Sequence, residues 1–228
     1  MILVFALLGI ATAWLLHPIS EYLIRIGSPE VKRAPFRWRA PMLVHLFRQQ
    51  REIANFQIEL GIELVSAGVF MLLYAIHGIT ALSLWLMVIY AFFALIALMD
   101  FRHRIVLNIL TYSGLVIALV VNVLLLQQSL ASILIGGIFG FVIFYGAATL
   151  RPGDIGGGDI KLAAMIGAAL GFPLVLWALI IAAAVSAATI VFLLFIRHYT
   201  LKDSIPYAPF LCLGAVVVFI YSSITILP

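Results

Sequence analysis

Two short segments carry side chains that could do chemistry in a chain otherwise made of apolar residues. The first is "RPGDIGGGDIKL", 151–162, with Asp154, Asp159, Lys161 and four glycines; the second is "ALIALMDFRHRIVLN", 94–108, with Asp100. A carboxylate at membrane depth costs about 3 kcal/mol or more unless it is paired, hydrated or used. If Asp100 and Asp159 meet, they suit one task. Two close carboxylates do not easily both ionise, so they share a proton and one pKa rises. The ionised member can then activate water while the protonated member donates to a carbonyl oxygen, which is amide hydrolysis without a metal or covalent intermediate. Gly156, Gly157 and Gly158 would let backbone approach closely and turn Asp159 inward, because glycine accepts φ > 0. The glycines match neither a phosphate-binding loop, whose G-x-x-x-x-G-K-[S/T] pattern is absent, nor a dinucleotide fingerprint, since no strand precedes them.

The elements that must position these acids are membrane helices. The chain has 228 residues, 65% hydrophobic and 10% charged, against roughly 25% charged in a soluble domain. Apolar runs fall at about 1–19, 59–77, 80–99, 107–126, 129–149, 162–197 and 207–226, and a span needs ~20 residues. The 1–19 run lacks a basic leader segment and a small-residue cleavage site, so it reads as a span and not a signal peptide. All 13 Lys and Arg lie in four segments: 25–51, 102–104, 151–161 and 197–202. The positive-inside rule makes these cytoplasmic. The 162–197 run must then cross twice, with Pro173 a breaker near its first third. The expectation is an all-α, polytopic transmembrane helical bundle of about eight spans. It divides into a first span plus basic cytoplasmic loop, 1–58, and a transmembrane core, 59–228. Asp100 at the end of the third run and Asp159 just before the sixth then share the cytoplasmic edge. Gly136-x-x-x-Gly140 and Gly167-x-x-x-Gly171 permit close helix approach.

Net charge +4 belongs to topology and anionic lipid contact, not nucleic acid. From Met42 the 20–58 loop could form an amphipathic interfacial helix. The single cysteine, Cys212, excludes an intrachain disulfide and a thiolate metal cluster. His45, His77 and His198 have no ligand spacing, so no metal is assigned.

"GGGDIKL" resembles the G-x-G-D-x-K-L motif of type IV prepilin peptidases, membrane aspartic proteases of the G-x-G-D class. "DFRHRIVLN" is similar to their first aspartate motif, and "IPYAPFLCLGA", 205–215, to their closing segment. The resemblance implies that Asp100 and Asp159 are the catalytic pair, with Gly156 and Gly158 as motif glycines. It implies an aspartic endopeptidase of the inner (plasma) membrane that cuts the basic leader of a prepilin or pseudopilin at the cytoplasmic face, without a cofactor. Presenilin-like proteases share G-x-G-D, but their first aspartate follows Tyr, whereas Asp100 follows Met99.

The chain departs from that family in its first loop and after Asp100. Bifunctional members carry paired C-x-x-C motifs in the loop after the first span; this loop has no cysteine, so zinc and N-methyltransferase activity are not expected. "IELVSAGVF", 62–70, faintly resembles a second-span motif, with Glu63 on its acid or simply a helix-start acid at the interface. Val106 and Leu107 stand where Ile-Pro is common, so the chain after Asp100 should be less kinked, and Asn108 could cap or orient the next helix. Asp154 reads as a solvent-facing loop acid, and Lys161 as a snorkelling or carboxylate-pairing residue. Arg102 and Arg104, with Glu63, are candidate contacts for lipid or substrate. The rival reading is a noncatalytic scaffold or transporter-like protein with Asp100 and Asp159 as polar gates. A transporter should carry charge near midplane in two matching halves; here charge gathers at one face and the halves do not mirror each other.

The charge pattern makes a topological prediction. Reporter fusions at 78–80 and 127–129 should score external, and fusions at 150–156 and 199–204 cytoplasmic. An external score at 199–204 would leave the 162–197 run crossing only once.

Overall fold

A computed structural model describes residues 1–27, 53–124, 127–150, 155–196 and 206–225. Among them there are helices and no strands: α1 (Ile2–Gly27), α2 (Ile53–His77), α3 (Ala81–His103), α4 (Asn108–Leu124), α5 (Leu130–Leu150), α6 (Gly157–Leu170), α7 (Leu174–Ile196) and α8 (Ala208–Thr225). The fold is an all-α, multi-pass membrane protein. Most of the basic 20–58 loop, including its amphipathic stretch through residue 52, lies outside the described residues, as do Asp154, Arg151, Arg197, His198 and Lys202.

Among the described residues six helices are long and apolar enough to cross a membrane: Ile2–Ile24, Leu60–His77, Ala81–His103, Leu130–Leu150, Leu174–Phe195 and Ala208–Thr225. The remaining two of the eight expected spans are short. α4 has 17 residues and α6 has 14; at 1.5 Å per residue α6 reaches about 21 Å, less than the ~30 Å hydrocarbon core. The 162–197 run does divide, at Gly171–Pro173. Gly171 takes a left-handed φ of 73° to end α6, a conformation only glycine adopts freely.

A helix that stops short must satisfy its last carbonyls. Asn122, buried on α4, donates its Nδ2 to the carbonyls of Ala168 (2.9 Å) and Ala169 (2.8 Å). The Phe172 N–H reaches the Ser132 carbonyl at 3.0 Å, and Ser132 Oγ donates to the Phe172 carbonyl at 2.8 Å. Side chains from α4 and α5 thus replace the turn that α6 lacks.

The chain forms two compact units, Met1–Leu95 and Ile96–Pro228. In the first, α1 meets α2 backbone to backbone at Gly9 and Ser66, with Phe5 stacked on Tyr74 at 4.5 Å. Ser66 and Tyr90 share a buried 2.9 Å hydrogen bond, which answers the cost of two hydroxyls in an apolar setting.

In the second unit α6 is the central helix, touching α4, α5, α7 and α8. Its seam with α5 contains no side chains at the closest points. A Cβ on Gly136 would run into the Gly167 carbonyl, and one on Gly140 into the Ala163 carbonyl. The two G-x-x-x-G patterns therefore do serve close approach. Elsewhere Gly214 of α8 meets the Ala178 carbonyl of α7 in the same way.

This seam generates a paired prediction. Gly140→Ala, forced against α6 backbone, should lower thermal stability in detergent by an amount equivalent to about 1–3 kcal/mol. Gly146→Ala on the same helix, where nothing lies within 4 Å, should be neutral or stabilising by up to about 1 kcal/mol. Equal effects of the two changes in a melting experiment would contradict the seam.

Candidate active site

Asp100 sits in the last turn of α3 and is 6% exposed. The helix ends there because Arg104 adopts a left-handed φ of 54° while its N–H bonds the Asp100 carbonyl at 2.8 Å. The chain then runs through Ile105–Leu107 to the start of α4. The missing proline was expected to leave this junction less kinked. The expected break between the two spans falls here, where the left-handed residue at 104 redirects the chain as a helix-ending residue does.

Asp159 lies in the first turn of α6, three residues after Gly156, which opens that helix. Its N–H bonds the Gly156 carbonyl at 3.0 Å, and the Gly156 N–H donates back to its carboxylate. This is at most half of a capping box, because Gly156 has no side chain to accept the Asp159 N–H. The glycines work by lack of bulk and not by left-handed backbone, correcting the expected φ > 0. Gly156 has φ −70°, and among the described glycines only Gly78 and Gly171 are left-handed. Gly158 is needed for space: its Cβ would lie 2.8 Å from the Cβ of Val106. The α3–α4 link therefore packs directly on the start of α6, and this contact draws the two acid-bearing segments together.

The acids are electrostatic neighbours. Burial first, and then the charge of Asp100, push the Asp159 carboxyl from its ordinary 3.8 up to about 6, against the opposing Gly156 hydrogen bond. At neutral pH an appreciable fraction of Asp159 holds a proton, unlike an ordinary carboxylate. Asp100 meets a different surrounding. Its Oδ2 accepts the N–H of Ala208, the first residue of α8, at 3.2 Å, and the Arg104 charge acts on it. Cys212 on α8 is buried within electrostatic reach of both acids.

Other expected residues gather at the same end of this unit. Asn108, the first residue of α4, does not cap its helix with its side chain as expected. The Leu107 carbonyl accepts the first turn's N–H groups from Leu110 and Thr111, and Asn108 Oδ1 accepts from Lys161 Nζ at 2.7 Å. Lys161 Nζ also stands 5.6 Å from the Tyr112 ring centroid. The lysine, expected to snorkel or pair with a carboxylate, thus ties α6 to α4 through a neutral partner and an aromatic face. Residues two apart on a helix point to nearly opposite sides, so this tie holds α6 from the side away from Asp159.

Arg102 is half-buried and Arg104 exposed beside the site. Glu63 lies well inside α2 in the first unit and is 4% exposed, not at a helix start facing an interface. Among the described residues no three His, Cys, Asp or Glu side chains come together where they could hold a metal ion. The Ala208 N–H is the feature at this site that sequence reasoning missed. The 205–215 segment was visible as a motif, but a backbone donor has no residue-type signature.

Comparison with known proteins is consistent with this constellation. The sequence model of the type IV leader peptidase family matches residues 87–193, a segment that contains both Asp100 and Asp159. No curated protein and no solved structure matches the chain.

The upward shift of Asp159 has a stability consequence whose sign is fixed by linkage. The folded protein keeps this proton to about pH 6 and the unfolded chain releases it near pH 3.8. Its contribution is fully present below about pH 4 and is lost as pH rises through about 6. Asp159→Asn, always neutral, should therefore melt higher than the parent at pH 8 and at about the same temperature at pH 4. A gain independent of pH, or none at pH 8, would contradict the buried-acid assignment.

Proposed function

Residues 87–193 belong to the type IV leader peptidase family, and from this premise we propose that the protein is a membrane aspartic endopeptidase. Its substrate is a type IV prepilin or pseudopilin, whose basic leader it removes at the cytoplasmic face of the plasma membrane. The observation that carries the reading is the unequal acid pair. Asp159 is pushed up to about 6 by burial and by Asp100, while Asp100 accepts a backbone N–H on one oxygen.

The roles proposed for the two acids follow the surroundings of each. Asp100, ionised, takes a proton from a water molecule as the water oxygen bonds to the scissile carbonyl carbon. Asp159 gives its proton to the carbonyl oxygen, so no full oxyanion develops. In the tetrahedral diol that results, Asp159 recovers a proton from a hydroxyl as the C–N bond breaks. Asp100 passes its proton to the departing nitrogen. The pair ends in its starting protonation state, one water having been consumed per peptide bond.

The fold supports this use of the pair. Both acids lie at helix ends, where an extended leader can be reached without unwinding a spanning helix. Arg102 and Arg104 adjoin them and suit lipid headgroups or acidic positions of the substrate's membrane-proximal region. Lys161 and Asn108 hold the α6 start. The 20–58 loop has no cysteine, so we propose a peptidase without N-methyltransferase activity and without zinc. A noncatalytic scaffold of the same fold is the outcome to be excluded.

The decisive assay is cleavage of a matched prepilin in liposomes. Asp100→Asn and Asp159→Asn should each abolish leader removal, and the double variant should be no worse, because either change disables one unit. Asp154→Asn should retain most activity. Substantial processing by a folded Asp159→Asn protein would end the aspartic-protease reading and favour the scaffold.

A further inference from the structure

We propose that Val106 is a positioning residue of the acid pair: lodged on the bare backbone of Gly158, its side chain sets how the link that follows Asp100 stands against the helix that carries Asp159. The inference rests on the peptidase reading and deepens it.

The link is short and fixed at both ends. It leaves α3 at Arg104, whose left-handed backbone (φ 54°) is tied by its N–H to the Asp100 carbonyl at 2.8 Å. It enters α4 at the buried Leu107, whose carbonyl accepts the N–H groups of Leu110 (3.1 Å) and Thr111 (3.2 Å). Only Ile105 and Val106 lie between these two points. A shift of Val106 is therefore passed back to Asp100 through a few covalent bonds and one hydrogen bond.

The same stretch touches α6 on both sides of Asp159 in the chain. One residue before the acid, Gly158 has no room for a side chain: its Cβ would lie 2.8 Å from Val106 Cβ, 3.5 Å from Val106 Cγ2 and 3.5 Å from the Val106 carbonyl oxygen. Two residues after it, Lys161 Nζ donates to Asn108 Oδ1 at 2.7 Å. These two contacts differ in kind. A lysine reaches its partner on a flexible four-carbon stem and can follow it as it moves. Valine is branched at Cβ and stiff at χ1, and the atom facing Gly158 most closely is Cβ itself, which no rotamer change displaces. The Val106 contact therefore translates directly into a separation between two backbones.

A fixed separation matters here because the acids repel. Burial and the charge of Asp100 together push the Asp159 carboxyl up to about 6, and moving α6 off the link would relieve both. Bulk added at Gly158 forces that movement. Bulk removed at Val106 leaves the link without its seat, and repulsion opens the gap. One methyl-sized group at this contact is the amount the pair accepts, and either backbone could supply it.

The test moves a methyl from one side of the contact to the other. Gly158→Ala should lower kcat for prepilin cleavage about a hundredfold, the scale of an ångström-sized misplacement, with KM changed less than about twofold. Adding Val106→Gly leaves the new methyl no listed neighbour nearer than the carbonyl oxygen at 3.5 Å and should recover about tenfold or more of the loss. Adding Val106→Ala instead keeps the obstructing Cβ and should recover none. In the parent, Val106→Gly should lower kcat about tenfold, so one substitution harms one background and helps the other. A second readout needs no cleavage. Infrared titration of the Asp159 carboxyl, identified by the band lost in Asp159→Asn, should give a lower midpoint in Gly158→Ala and in Val106→Gly, and the parent's midpoint when the two are combined. Variants that melt lower yet keep the parent's kcat and midpoint would show packing alone and overturn the proposal, as would equal rescue by Val106→Ala and Val106→Gly. If Gly158→Ala does not fold, the rate and midpoint of Val106→Gly decide by themselves. A parent protein that cleaves no prepilin while the midpoints move as stated would sink the peptidase reading and leave the spacing role standing.

Discussion

The structure turns on the repulsion between two carboxylates held close together at low polarity. Left alone, Asp100 and Asp159 would separate or both draw protons from solvent. Here each is fixed by a backbone N–H, from Ala208 for Asp100 and from Gly156 for Asp159. Both donors are amides at helix starts, which lack intrahelical acceptors and are free to serve a carboxylate. The cost of the pair is thus met by groups that the bundle would otherwise have to satisfy by other means. The two acids do not share it equally. Burial and its neighbour's charge raise Asp159, whereas Asp100 has the Ala208 amide on one oxygen.

Holding the acids together requires α6 to be short and close to its neighbours. Its seam with α5 is backbone on backbone at Gly136, Gly140 and Gly167, a geometry that favours dispersion and excludes side-chain rearrangement. Its far end is closed by Asn122, Ser132 and the left-handed Gly171. Its near end is tied to α4 by the Lys161–Asn108 bond and abuts the α3–α4 link at Val106. A helix held at both ends and along one face has little freedom to slide, which suits a residue that must stay close to a group repelling it.

The spacing of apolar runs, the glycine seams and the break near Pro173 were all legible, because hydrophobic length and absence of side chains are properties of residue type. The pair itself was legible as a motif and as two acids on one predicted face. Other readings failed for an equally physical reason. The glycines before Asp159 suggested left-handed turns, yet their use is to make room for Val106. Asn108 suggested a cap or an orienting contact, and its side chain makes no cap but receives Lys161. In each case residue type allowed several conformations, and a contact from a distant segment selected one.

What the sequence by itself determined is therefore the membrane class of the protein and the identity of the acids worth attention. Apolar length and charge segregation are summed over many residues and do not depend on any one contact. Only the tertiary structure decided how those acids differ. That difference arises from how deeply each acid is buried and from one amide of Ala208. A backbone donor carries no letter in the sequence, and the direction in which it points is set by helices that meet only when the chain is folded.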